Sequence, residues 1–173
     1  LYIEAFPELK GALLVSKSII IRSYQESDCP FLSAIFFNTI HTINTKDYTP
    51  EQINAWAPVG HLEPDGWVAR WQKLAPIVVV IDNQIVGFAE FEENGHIDCF
   101  YVHHEFQGCG AGSALLKEIE QRARANEIMR IFAEVSITAK SFFEAKGFSV
   151  VKQQVVSCRG AELINFVMEK IYS

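Results

Sequence analysis

Residues 106–116, FQGCGAGSALL, place Gly108, Gly110 and Gly112 within five positions and lead straight into an apolar, helix-like run. A strand-like stretch, HIDCFYVHH (96–104), precedes them. Glycines lack the Cβ that would keep backbone N–H groups apart, and a helix N-terminus adds positive dipole character. The chemistry on offer is the binding of an anion such as phosphate; the structural alternative is a plain turn. Two familiar phosphate loops are excluded. A P-loop closes on Gly-Lys-Ser/Thr, whereas this segment closes on Gly112-Ser113-Ala114. The dinucleotide fingerprint spaces its glycines G-x-G-x-x-G within a parallel unit, whereas here the spacing is G-x-G-x-G.

The elements that must hold this loop follow from periodicity and turn chemistry. SIIIRSY (18–24) reads as a β-branched strand, and ESDCPFLSAIFFNTI carries an Asp/Pro start and helical spacing. YTPEQINAWAP holds a helix start, with Thr49 as N-cap, Pro50 in the first turn and Gln52 three residues after the cap. A short helix is expected from Trp67 to Leu74, after the EPDG turn. APIVVVID is a continuous apolar run, as in a buried strand. Asp82-Asn83 turns it into QIVGFAEFEE, and Asn94-Gly95 turns that into HIDCFYVHH, so the three should form an antiparallel meander.

After the loop, a helix is expected from about Gly110 to Asn126, with Leu115, Leu116, Ile119 and Ala123 on one face. A strand (IMRIFAEV), a short helix ending at Gly147, and two strands around Arg159-Gly160 complete the chain. This order gives an α/β (α+β) fold: a mixed, mostly antiparallel sheet of about seven strands with helices on both faces. No linker or repeat divides it, so residues 18–173 form one domain and residues 1–17 an N-terminal extension.

The chain has 173 residues, 49% hydrophobic and 21% charged, with a formal charge of −6. Nucleic acid is a poor partner for such a balance, because phosphate neutralisation needs clustered Lys and Arg. A cationic substrate fits better. The four cysteines form no C-x-x-C pair, so neither a metal site nor a disulfide scaffold is expected, and a reduced, cytoplasmic setting follows. ALLVSKSIII is interrupted by Lys17 and is too short to span a bilayer, so no membrane association is expected.

YVHHEFQGCGAGSALL resembles the pyrophosphate loop of the GNAT superfamily of acetyl-CoA-dependent N-acetyltransferases, written Gln/Arg-x-x-Gly-x-Gly/Ala, with Gln107, Gly110 and Gly112 at its places. SITAKSFFEAKGF resembles the family's Asn-x-x-Ala-x-x-Phe-Tyr-x-x-x-Gly-Phe segment through Ala139, Phe142, Gly147 and Phe148. IIIRSYQESD is similar to its first strand and helix entry. The likeness covers roughly residues 18–171. More narrowly, AWAP, the Ser-Ile-x-Ala-x-x-Phe-Phe variant and NFVMEK resemble the bacterial YafP-type branch.

The resemblance implies acetyl-CoA as cofactor and direct acetyl transfer to a primary amine of a small molecule or peptide. It implies that backbone amides of Gln107, Gly108, Cys109, Gly110, Ala111, Gly112 and Ser113 hold the pyrophosphate. Tyr101 and Val102 would lie beside the thioester, at a bulge where their strand splays from its neighbour, with Ser136, Ala139 and Phe142 as further cofactor contacts. By period-two alternation His96, Asp98, Phe100 and Val102 share one face. Family members carry a Glu or His base at the first or second of these places, so His96 and Asp98 are the catalytic candidates, Asp98 foremost. Trp56, Trp67 and Glu90 are the substrate-binding candidates, with Trp71 and Tyr48 beside them as aromatics that either stack on the acceptor or fill the core.

Two departures stand out. Phe143 occupies the place of the family's Tyr acid and Ser136 that of its Asn, which makes Tyr101 or a water the alternative acid. They also leave a non-catalytic acyl-CoA-binding module as the competing reading. The family's habits leave a homodimer open.

Overall fold

The computed structural model describes residues 18–59 and 64–172. The expected extension over 1–17 lies outside the described residues. Seven strands form one sheet in the order β1-β2-β3-β4-β5-β7-β6. They are β1 (Ile19–Ser23), β2 (Ile77–Ile81), β3 (Gln84–Phe91), β4 (His96–Val102), β5 (Arg130–Ser136), β6 (Ser149–Cys158) and β7 (Ala161–Ile171). All pairings are antiparallel except β4 with β5.

The turn dipeptides account for the hairpins. Asp82 and Asn83 both have positive φ (50° and 65°), as a two-residue turn between twisted strands demands, and Arg159-Gly160 repeats this with 45° and 84°. Gly95 at φ 90° closes the β3–β4 hairpin, and no side chain fits there because an added Cβ would overlap the Arg130 carbonyl.

Among the described residues five α-helices cover the two faces: α1 (Cys29–Thr42), α2 (Pro50–Trp56), α3 (Pro64–Leu74), α4 (Ala111–Ala125) and α5 (Lys140–Ala145). The expected box at the start of α2 forms, Gln52 N donating to Thr49 Oγ1 while Gln52 Oε1 accepts from Thr49 N. α3 starts three residues earlier than the sequence suggests, since Pro64 suits a first turn and Pro-Asp-Gly therefore joins the helix rather than a turn.

One core layer joins the sheet to α4 and α5 through Leu115, Leu116, Ile119, Phe143 and Phe148. The other joins it to α1, α2 and α3 through Leu32, Phe36, Ile40, Ile53 and Trp71. β2 is buried along its whole length between them, which explains its unbroken IVVVI.

Candidate active site

The β4–β5 junction sets the site. These strands pair only at His96↔Phe132 and Ile97↔Ala133. Beyond Ile97 they diverge, and a cleft of about 480 Å³ opens between them, walled by Asp98, Phe100, Tyr101 and Val102 on one side and Glu134, Val135 and Ser136 on the other. Its far end reaches the glycine loop at Gln107, Gly108, Gly110, Gly112 and Ser113, and Ala139, Phe142 and Lys146 close it from the α5 side. Asp98 and Glu134 are thus the first residues past the last pairing, facing each other at the apex.

A bulge shapes β4. Phe91 pairs with Ile97 and Ala89 with Phe100, so two residues, Asp98 and Cys99, stand opposite Glu90 alone. The extra residue reverses the alternation, and Ile97 packs in the same core layer as Phe100 and Val102. The simple period-two face expected for His96, Asp98, Phe100 and Val102 is therefore broken. His96 instead stacks on Phe132 at 4.9 Å. The bulge sits at Asp98-Cys99 rather than at Val102.

Backbone donors point into the splay. His103 N donates to Val86 O at 2.7 Å, so alternation turns the N–H groups of Phe100 and Val102 away from β3 and toward the cleft. The Val102 carbonyl is held by Gln107 Nε2 at 2.7 Å and Thr39 Oγ1 at 3.0 Å. Gln107 thus ties the glycine loop back to the strand it follows.

The loop is built for an anion. Gly108 and Gly110 lie in the left-handed region at φ 73° and 90°. Gly110 caps α4 without a side-chain acceptor, which leaves the first-turn amides of Ala111, Gly112 and Ser113 unclaimed within the helix. A Cβ at Gly112 would press on the Phe142 ring at 3.3 Å. Cys109 and Ala111 turn their side chains to the core, so only their backbone is offered. A phosphate group fits this set of donors.

At the other end the charges are paired. Arg70 of α3 donates through Nε to Glu90 Oε1 at 3.1 Å, and its Nη2 also reaches Asp98. Trp71 Nε1 adds a bond to Glu90 at 2.7 Å. The guanidinium is raised above its already high value, first by the Glu90 bond, against the opposing effect of burial. Glu90 is fully buried and so engaged that it does not face the acceptor end; Trp67 likewise packs on Trp71 and Phe36 instead of lining the cleft. Both placements have one cause: α3 lays its Trp67, Arg70 and Trp71 against the sheet.

Trp56 does line the cleft, as does Tyr101. Burial above all pushes the Tyr101 phenol well above its ordinary range, with the Trp56 indole offsetting part of the rise. A phenol so raised keeps its own proton to give. Burial, reinforced by Glu90 and Asp98, likewise lifts the Cys99 thiol far above its usual value, so no thiolate nucleophile stands here. His96 lies behind the cleft wall, its Nε2 2.6 Å from Glu134 and its Nδ1 3.3 Å from Glu92.

Sequence reasoning missed Glu134 and Lys146. Glu134 is an exposed carboxylate between buried Ala133 and Val135, a pattern visible in RIFAEVS, but its place at the apex depends on the β4–β5 register.

An acetyltransferase (GNAT) domain family matches residues 44–170. The chain is 38% identical over 151 residues to YafP of Escherichia coli strain K12, an uncharacterized N-acetyltransferase, covering 87% of this chain and 95% of that one. This chain belongs to the GNAT acetyltransferase family. Its fold superposes on a GCN5-related N-acetyltransferase from Rhodopseudomonas palustris with a TM-score of 0.84 at 28% identity, covering 91% and 98% of the two chains. The PaiA N-acetyltransferase of Thermoplasma acidophilum, solved with coenzyme A, shares the fold at a TM-score of 0.70 and 21% identity over 90% and 99%. As a GNAT protein the chain is an acetyltransferase that uses acetyl-CoA. Among the described residues no helix is long and apolar enough to cross a membrane.

Proposed function

We propose that the β4–β5 cleft is where acetyl-CoA binds and that the acetyl group passes directly to a primary amine of a small molecule or peptide. One observation carries this: a single cleft joins an uncapped, glycine-lined helix start to an apex bearing two carboxylates. Amides from Gln107 to Ser113 would hold the pyrophosphate, and Lys146 adds a cation beside them. Bound acetyl-CoA supplies an electrophilic thioester carbonyl. The N–H groups of Phe100 and Val102 are fixed donors aimed into the splay, where charge develops on that carbonyl. Ser136, Ala139 and Phe142 shape the wall along which the pantetheine arm would lie.

Asp98 attracts the acceptor's ammonium to the apex, in competition with Arg70, and the apex carboxylates together with His96 serve its deprotonation. Trp56 offers an aromatic wall to the acceptor. Tyr101, still protonated, is the group placed to return a proton to the leaving thiolate. Phe143 sits in the core among Phe100, Phe142 and Phe148 and has no proton to give. A reduced, cytoplasmic setting suits four cysteines that form no disulfide.

The test is incubation with acetyl-CoA and a panel of alkylamines, polyamines, amino-acid amides and peptides, with products read by mass spectrometry. At least one amine should gain an acetyl group, and Asp98→Asn should raise its KM. Coenzyme A binding without transfer to any amine would contradict the acceptor class.

A further inference from the structure

Glu134, His96 and Glu92 form a continuous hydrogen-bonded line from the cleft apex to the protein surface. Glu134 Oε2 is 2.6 Å from His96 Nε2, and Glu92 Oε2 is 3.3 Å from His96 Nδ1. The imidazole between them is only 17% exposed, against 41% for the Glu134 side chain and 32% for Glu92. A mostly buried ring that uses both nitrogens to join two wetter carboxylates is a conductor in form. Only Glu134 of the three lines the cleft, as Asp98 also does, each the residue after the last β4–β5 pairing. Asp98 is engaged by Arg70, a permanently charged partner that cannot accept a proton. Glu134 has a partner that can accept one.

We propose that Glu134 is the catalytic residue that takes the proton from the acceptor ammonium, and that His96 and Glu92 carry that proton out to solvent. This rests on the acetyl-transfer reading above. The acceptor R–NH₃⁺ gives one proton to a Glu134 oxygen, which frees the nitrogen lone pair for attack. Glu134 passes that proton to His96 Nε2 while the proton on His96 Nδ1 moves to Glu92. Glu92 releases it to water, and exchange with solvent, which removes the proton now on Nε2 and supplies one at Nδ1, resets the ring. No electrons change hands. Asp98 then serves to hold the ammonium, and His96 acts only through Glu134.

The relay requires a neutral imidazole with its proton on Nδ1, because an imidazolium has no vacancy to receive one. Burial lowers the His96 pKa, but the Glu134 bond and charge, the Glu92 bond and the Asp98 charge outweigh it, and the net value is raised. Arg130, whose guanidinium lies 4.3 Å from the Phe132 ring that stacks on the imidazole, is ion-paired to Glu169 at 2.6 Å. The neutral form therefore accumulates only above the ordinary imidazole range. Transfer to a protonated amine should rise with pH through that elevated value.

Two measurements test this. Imidazole resonances followed by NMR should show His96 titrating above the ordinary range in the wild type, and lower in Glu134→Gln, which has no charge to hold the imidazolium. No change in the variant would overturn the relay without any acceptor being known. In activity, n-butylamine is an ammonium near neutral pH, whereas methoxyamine is already neutral. Glu134→Gln should lower kcat/KM for n-butylamine about 100-fold and change that for methoxyamine less than about 3-fold. His96→Gln should remove the pH-dependent limb for n-butylamine. Equal losses for both amines would assign Glu134 a merely structural role, and no loss for either would also overturn the proposal. If the wild type binds coenzyme A yet acetylates neither amine, the acceptor assignment fails and the relay stands or falls on the NMR titration.

Discussion

Gly110→Asp is expected to weaken coenzyme A binding about 100-fold while leaving the fold in place. A carboxylate at this point would stand at the mouth of the helix start, roughly 6 Å from a bound pyrophosphate, and at an effective dielectric near 20 the repulsion is about 3 kcal/mol per charge pair. It would also compete for the first-turn amides of Ala111, Gly112 and Ser113, which have no side-chain cap in the wild type. The backbone tolerates the change better than most, because Asp and Asn enter the left-handed region at φ 90° more readily than other non-glycine residues. The nearest obstacle to a Cβ is the flexible end of Ile19, at 3.3 Å. Gly110→Asn makes the same backbone demand without the charge. Calorimetry should show Asn binding much more tightly than Asp, with a gap that narrows in high salt, while both unfold close to the wild-type temperature. Equal affinities for Asp and Asn would mean that the loop does not face the phosphates.

Arg70→Met is expected to destabilise the domain by about 3–5 kcal/mol, the cost of leaving a buried carboxylate without its counter-charge. Glu90 has 1% side-chain exposure and would retain the Trp71 indole but no counter-charge among the partners described for it. For a domain of this size the loss corresponds to a fall in Tm of roughly 10 °C. The double variant Arg70→Met, Glu90→Gln should regain most of it, since the Gln oxygen still accepts from Trp71 while the buried charge is gone. Urea titration of the three proteins measures this. A double variant as unstable as the single one would show that the loss comes from packing of α3 rather than from the unpaired charge.

Much of the architecture is legible in short-range chemistry. Asp82-Asn83, Asn94-Gly95 and Arg159-Gly160 mark three hairpin turns, with Asp82, Asn83, Gly95, Arg159 and Gly160 at positive φ. Thr49 and Gln52 declare the start of α2, and the glycine spacing declares the loop. What the sequence does not disclose is register. The Asp98-Cys99 bulge reverses which β4 residues face α4 and α5, and nothing local in HIDCFYV marks it. The parallel β4–β5 pairing lasts only two residue pairs and joins segments more than thirty positions apart, yet it is what brings Glu134 opposite Asp98. Glu90 and Trp67 read from the sequence as acceptor contacts on a strand and a covering helix. The burial of Glu90 and the packing of Trp67 depend on how α3 lies across the sheet, a tertiary fact set by Arg70 and Trp71.

The most direct test of the cleft as the acetyl-CoA site is a backbone amide NMR titration with coenzyme A. The amides of Gly108, Gly110, Ala111, Gly112 and Ser113 should shift together and saturate, accompanied by those of Phe100 and Val102 in the splay. Saturable binding that leaves these resonances unmoved, with shifts confined to the outer strands β1 or β6, would contradict it.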